Sequence, residues 1–159
     1  MTGQSGLGPS GAGQPGVPSG GRAGQPVAGG SGEPARSLAL VLVESGYERL
    51  HAAFMLAATA AALGQDVILF GMGAGVAAFS RDWSGVDAFA AGESQRARAG
   101  VAGVAELRDA VVDMGACLMV CDSGMKAAGL SPANLLEGVA CVGLPSFMDR
   151  AAHARQLVF

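Results

Sequence analysis

The sequence predicts a three-layer α/β domain, with a mostly parallel five-stranded sheet and helices on both faces. Three observations carry this. Short apolar runs, rich in Val and Leu, recur at 38–43, 66–70, 116–121, 139–142 and 156–159, and runs of that length read as strands buried on both faces. Stretches of helical composition separate them, and strands alternating with helices build a parallel, doubly wound sheet. Turn-forming residues punctuate the joins: Glu44-Ser45-Gly46, Gly64, Gly129 and Ser131-Pro132.

Taken in order, residues 1–36 are almost wholly Gly, Ser, Pro, Gln and Ala. Such a segment buries too little apolar surface to offset its ordering entropy and reads as a disordered tail. Its Gly-Gln-Pro recurrence at 13–15 and 24–26 is low complexity. The folded domain is therefore expected over 37–159. Leu38–Val43 is the first strand, and Tyr47–Leu63, dominated by Ala and Leu, is a helix that Gly64 ends. Phe54, Met55 and Leu56 make this helix apolar most of the way round, so it is expected to be buried, in part by another subunit. Asp66–Phe70 is the second strand, and a strand–helix–strand unit implies a right-handed parallel crossover.

Gly71-Met72-Gly73-Ala74-Gly75 leads into a short helix at Val76–Phe79. Residues 80–101 read as a long loop carrying Trp83 and Phe89, of a length often used for lids. Val104–Met114 is a helix with Val104, Leu107, Val111 and Met114 on one side. Ala116–Cys121 is the third strand, followed by a helix from Asp122 to Ala128 that Gly129 closes. Ser131 caps a short turn with Pro132 at its first position. Val139–Val142 is the fourth strand. Ser146 is expected to cap a helix through His153, and Gln156–Phe159 is the last strand.

Composition excludes several functions. The 159 residues suffice for one domain, half of them are hydrophobic and 14% are charged. A net charge of −3, scattered arginines and 5% aromatic residues argue against nucleic-acid binding. The longest apolar stretch, Ala52–Leu63, is shorter than the roughly 20 residues a bilayer span needs, and no signal peptide is evident at the N-terminus. Three cysteines without a Cys-x-x-Cys, and two histidines distant from them, support neither a disulfide scaffold nor a zinc site. A soluble, reduced, cytoplasmic protein without metal, cofactor, nucleic-acid or membrane partner is expected.

Cys121 is the principal candidate for chemistry. It ends a predicted strand and stands at a helix start, where unpartnered backbone N–H groups and the helix dipole favour thiolate over thiol. Open parallel sheets place their ligands outside the carboxyl ends of the strands. The amides of Asp122, Ser123 and Gly124 are expected to stabilise the thiolate. Lys126 adds positive potential and Asp122 opposes it. Glu44, Ser45, Gly71 and Met72, which end the first two strands, would help line a pocket on the same sheet edge. Against this stands the usual fate of a free cysteine as a small buried hydrophobe. Cys117, four residues earlier on the same strand face, lies about 13 Å away, beyond disulfide reach. Cys117 and Cys141 both read as core residues. Gly71-x-Gly73-x-Gly75 lacks the Lys-Ser/Thr of a phosphate loop and the third-glycine spacing of a dinucleotide fingerprint. His51 reads as a packing or surface residue, and His153 as a partner of a helix C-terminus.

The run Gly115-Ala-Cys-Leu-Met-Val-Cys-Asp-Ser-Gly-Met-Lys-Ala-Ala-Gly129, continuing through Leu136-Glu-Gly-Val139 into the next apolar strand, resembles the DsrE/DsrF-like sulfur-relay family, in its DsrE-like, peroxiredoxin-like branch. The likeness extends over about 37–159. It implies a flavodoxin-like fold outline and makes Cys121 the sulfur-carrying cysteine of a sulfur carrier or sulfurtransferase. The partners it implies are a protein sulfur donor, a protein acceptor and further copies of the chain, as a dimer, trimer or hexamer. Cys117 and the long 80–101 segment depart from the pattern. The other reading is a small-ligand or protein-binding module, within an oligomer joined through helix 47–63, in which Cys121 is structural. An exposed sulfur at a pocket mouth favours the first reading, and a sulfur enclosed in the core favours the second.

Overall fold

A computed structural model describes residues 37–159; the expectation of a disordered tail over 1–36 lies outside the described residues. The strands are β1 (Ser37–Leu42), β2 (Asp66–Gly71), β3 (Cys117–Cys121), β4 (Ala140–Val142) and β5 (Arg155–Val158). They form one sheet in the order β4-β3-β2-β1-β5, and every pairing is parallel. The all-parallel arrangement follows from sequence: helices intervene between strands, and continuous apolar runs let both faces be covered.

Alternation along each strand produces two cores. Leu38, Leu40 and Leu42 of β1, Val67 and Leu69 of β2, and Leu118 and Val120 of β3 face one side. Helices α1 (Tyr47–Ala62) and α3 (Val104–Asp113) cover it side by side, through Leu50, Ala53, Phe54, Ala57, Val104 and Val111. Ala39, Val41, Ile68, Phe70, Met119 and Cys121 face the other side. There α5 (Leu144–Arg150) supplies Phe147, whose ring stacks on Phe70 at 4.4 Å between centroids. Helices on both faces complete the three expected layers.

Within a single copy of the chain the first helix is buried along one side only. Met55 and Leu56 remain 47% and 43% exposed on the outer side of α1, and Met114 is exposed beyond α3. The 80–101 segment is not one long loop, because α2 (Phe89–Arg98) occupies its second half. Tertiary contacts hold that helix. Gly92 sits against the Tyr47 ring with no room for a Cβ, and Phe89 stacks on Trp83 at 4.4 Å. Glu93 accepts hydrogen bonds from Tyr47 Oη at 2.8 Å and from the Val104 amide at 2.6 Å, so one carboxylate ties α1, α2 and the start of α3 together. Trp83 also lies under the buried Arg108 guanidinium, 3.6 Å from its ring centroid, and Arg108 donates to the carbonyls of Ala78 and Ser80.

Helix α5 begins at Leu144 behind an extended Gly143, with Pro145 in its first turn, and ends at Arg150. Ser146 is thus inside the helix and donates its amide to Gly143. Proline pre-sets the first turn and removes an amide that would lack a partner, which displaces the expected Ser146 cap. His153 lies past the helix end and is exposed.

Beyond β2 a 3-10 segment, Gly73–Phe79, lies across the C-terminal ends of the strands. It is longer than the short helix expected at Val76–Phe79, and Gly73 adopts a φ of +55° to enter it. A Cβ at Gly75 would overlap the carbonyl of Leu42, and one at Gly71 would lie 2.6 Å from the Phe79 ring. Gly75→Ala is therefore expected to destabilise the fold by about 2–4 kcal/mol, because the clash is with backbone that cannot rotate away. Chemical denaturation of wild type and variant measures it; a change under about 0.5 kcal/mol, the scale of an ordinary surface substitution, would contradict this packing.

Candidate functional site

Cys121 is the last residue of β3 and immediately precedes α4 (Asp122–Ala127). An apolar strand ends here because Asp122, Ser123 and Gly124 break the run of large side chains. The helix begins here because Cys121 keeps extended dihedrals, φ −72° and ψ 124°. Its side chain belongs to the second core, with Phe70, Met119 and Phe147, and the residue is 6% exposed.

The sulfur nevertheless faces polar partners. Sγ lies 3.0 Å from Ser123 Oγ, and Ser123 is itself exposed, so one hydroxyl separates the thiol from the surface. The Cys121 pKa lies below the ordinary thiol value. The hydroxyl of Ser123 is the main cause, and the amides of Gly124 and Ser123 add to it. Burial and the negative charge of Asp122 oppose the shift. The sequence anticipated the amides and the opposition of Asp122, but not the hydroxyl. The signal for it was a serine two residues after a strand-end cysteine.

The remaining expected residues divide into two groups. Asp122, Ser123, Gly124 and Lys126 come together on α4. Lys126 Nζ reaches Asp122 Oδ2 at 2.6 Å, which spends its charge on Asp122 and raises its own pKa. Gly124 is the contact that seats α4: a Cβ there would lie 3.0 Å from Val76 and 3.2 Å from the Gly73 amide nitrogen. Met72 packs into the same core as Cys121, while Gly71 lies against Phe79. Glu44 and Ser45 turn to other partners. Glu44 pairs with Arg49 at 3.6 Å, and Ser45 Oγ donates to Asp87 at 2.9 Å. The clefts at the N-terminal edge of the sheet, between α1 and α2, and beside the 3-10 segment are lined by residues other than Cys121.

Cys117, Cys121 and Cys141 are all free. Cys117 lines a cleft at the opposite, N-terminal edge of the sheet, with Asp66 and Arg150. Cys141 is not a core residue. The short β4 forms the edge of the sheet, Cys141 pairs with Val120 in register, and its side chain is exposed, 4.0 Å from Asp122 Oδ1. An apolar three-residue run cannot distinguish a central strand from an edge strand, which explains the error. His51 is a packing residue: buried, stacked on Tyr47 and hydrogen-bonded to the Ala102 carbonyl.

The sequence pattern of the DsrE/DsrF-like family matches residues 38–159. The chain belongs to the DsrE/DsrF-like family. Among solved structures, it is similar to the ychN protein of E. coli, at 15% identity and a TM-score of 0.53, over 77% of this chain and 99% of that one. It is similar also to MTH1491 of Methanobacterium thermoautotrophicum, described as a protein of unknown function, at 15% identity and a TM-score of 0.52, over 77% and 98%. At that identity, these likenesses bear on the fold alone. No curated protein matches the chain. Among the described residues no helix is long and apolar enough to cross a membrane, and no cluster of His, Cys, Asp and Glu side chains could hold a metal ion.

The causes of the Cys121 shift give two opposite expectations. Ser123→Ala should raise the thiol pKa, moving the rise of alkylation rate to higher pH. Asp122→Asn should lower it, extending reactivity to lower pH. Rates of Cys121 alkylation across pH, resolved by peptide mass, check both; equal profiles for the two variants would show that neither group governs the thiolate.

Proposed function

We propose that this DsrE/DsrF-like protein carries sulfur as a persulfide on Cys121. The Cys121 thiolate attacks the outer sulfur of a donor protein's persulfide. A new S–S bond forms, the old one breaks, and the donor thiolate leaves. The reverse chemistry, with an acceptor thiolate attacking the outer sulfur on Cys121, hands it on. Each exchange conserves electrons and needs no cofactor.

Family membership supports the class of chemistry. The observation that carries the choice of residue is the strand-end thiol held toward the thiolate by Ser123 and two amides, since the thiolate is the nucleophile in sulfur exchange. A reducing, cytoplasmic setting suits three free cysteines. The exposed Met55 and Leu56 on α1 suit association with further copies of the chain.

One observation favours the second reading, a binding module with a structural cysteine: Cys121 is 6% exposed, packed among Phe70, Met119 and Phe147. Incubation with a protein persulfide donor and intact-mass measurement separates the two. Wild type and Cys117→Ser are expected to gain the mass of one sulfur atom, and Cys121→Ser is not. An unmodified wild type, or an adduct that persists in Cys121→Ser, would overturn the proposal.

A further inference from the structure

The cleft between the 3-10 segment, the 80–85 turn and residues 128–134 encloses about 350 Å3, a volume suited to a small molecule. Ser80 is its most informative residue. It lines the cleft yet is only 5% exposed, and its hydroxyl has no hydrogen-bond partner among the described residues. That hydroxyl is open to the cleft and not an orphaned buried group, so water or a bound molecule can pair with it there.

The rest of the lining is specific in charge. Asp82 is its one ionised side chain. Oδ1 accepts from the Ser84 hydroxyl at 2.7 Å and the Ser84 amide at 3.1 Å, which hold the Asp82 pKa below the ordinary carboxylate value. Oδ2 has no partner among the described residues. Asn134 Oδ1 is occupied by the amide and hydroxyl of Ser131, both at 2.8 Å, which leaves its NH2 group as a donor. Ala74, Ala128 and Leu130 give the cleft an apolar wall.

We propose that this cleft binds a small organic cation: a primary amine on a short apolar chain that ends in a hydroxyl or carbonyl. The ammonium pairs with Asp82, the chain lies on Ala128 and Leu130, and the distal oxygen meets Ser80 and Asn134. The Arg108 guanidinium stands behind Ser80, stacked on Trp83 and bonded to the carbonyls of Ala78 and Ser80, so the Ser80 end takes the uncharged oxygen and the Asp82 end takes the amine. This inference is independent of sulfur transfer at Cys121.

Aminobutanol, with butanediol as its uncharged counterpart, provides the test at fixed pH and ionic strength. Backbone amide NMR of the full chain is expected to show saturable shifts at Ser80, Gly85 and Leu130 with aminobutanol. Binding of butanediol to wild type, and of aminobutanol to Asp82→Asn, is expected to be about fivefold weaker, the scale of one exposed charge pair. Asp82 is a surface residue, and unchanged shifts elsewhere in the variant's spectrum establish that it is folded. Absence of saturable shifts at these amides, equal affinity for butanediol, or undiminished binding by Asp82→Asn would overturn the proposal.

Discussion

Three missing side-chain carbons determine how the C-terminal edge of the sheet is built. Gly75 meets the carbonyl of Leu42, Gly71 meets the ring of Phe79, and Gly124 meets Val76 and the backbone of Gly73. Together they let one 3-10 segment lie across the ends of β1, β2 and β3 in backbone contact. Interiors are close-packed and transmit strain, so a single added methyl there moves either the segment or a strand end. The segment in turn seats α4 through Val76, and α4 supplies the amides that face Cys121. Backbone approach therefore positions α4, and with it the Ser123 hydroxyl and the two amides that act on the thiol.

Competition among small effects fixes the state of that thiol. The Ser123 hydroxyl is in direct contact and acts on the charged sulfur at 3.0 Å. The Asp122 carboxylate opposes it, but Asp122 is exposed and paired with Lys126. Water and the ammonium both weaken its reach, since exposed charges interact through a high effective dielectric. The direct hydrogen bond outweighs the solvated charge, and the thiol pKa falls. Burial acts against the fall, which links reactivity to how tightly Phe147 and its neighbours enclose the sulfur.

Much of this was legible in the chain. The five apolar runs became the five strands; β1, β2 and β3 are the buried ones, while β4 and β5 are exposed edges whose apolar runs gave the same signal. Tyr47–Ala62, and the helix start after Cys121, were equally plain. Helix α2 was not, since Ala88, the residue that precedes it, is left-handed with φ 57° and supplies no side-chain cap. It owes its place to distant partners, Tyr47 and Glu48 among them. Gly71-x-Gly73-x-Gly75 invited a phosphate-loop reading that its spacing did not support. The structure gives these glycines a packing role that no local pattern could announce, because their partners Leu42 and Phe79 lie on other segments. The exposure of Cys141 was hidden for a related reason: its sequence neighbours are apolar, and only the strand order puts it at an edge.

That edge position isolates Cys121 chemically. Cys141 pairs with Val120, so it projects from the face opposite Cys121. Cys117 shares the face of Cys121 but stands four residues down the strand, about 13 Å away. Neither geometry permits an internal disulfide. The chain thus contains no resolving thiol that could expel whatever Cys121 acquires, and the lifetime of such an adduct is set by encounter with a second molecule.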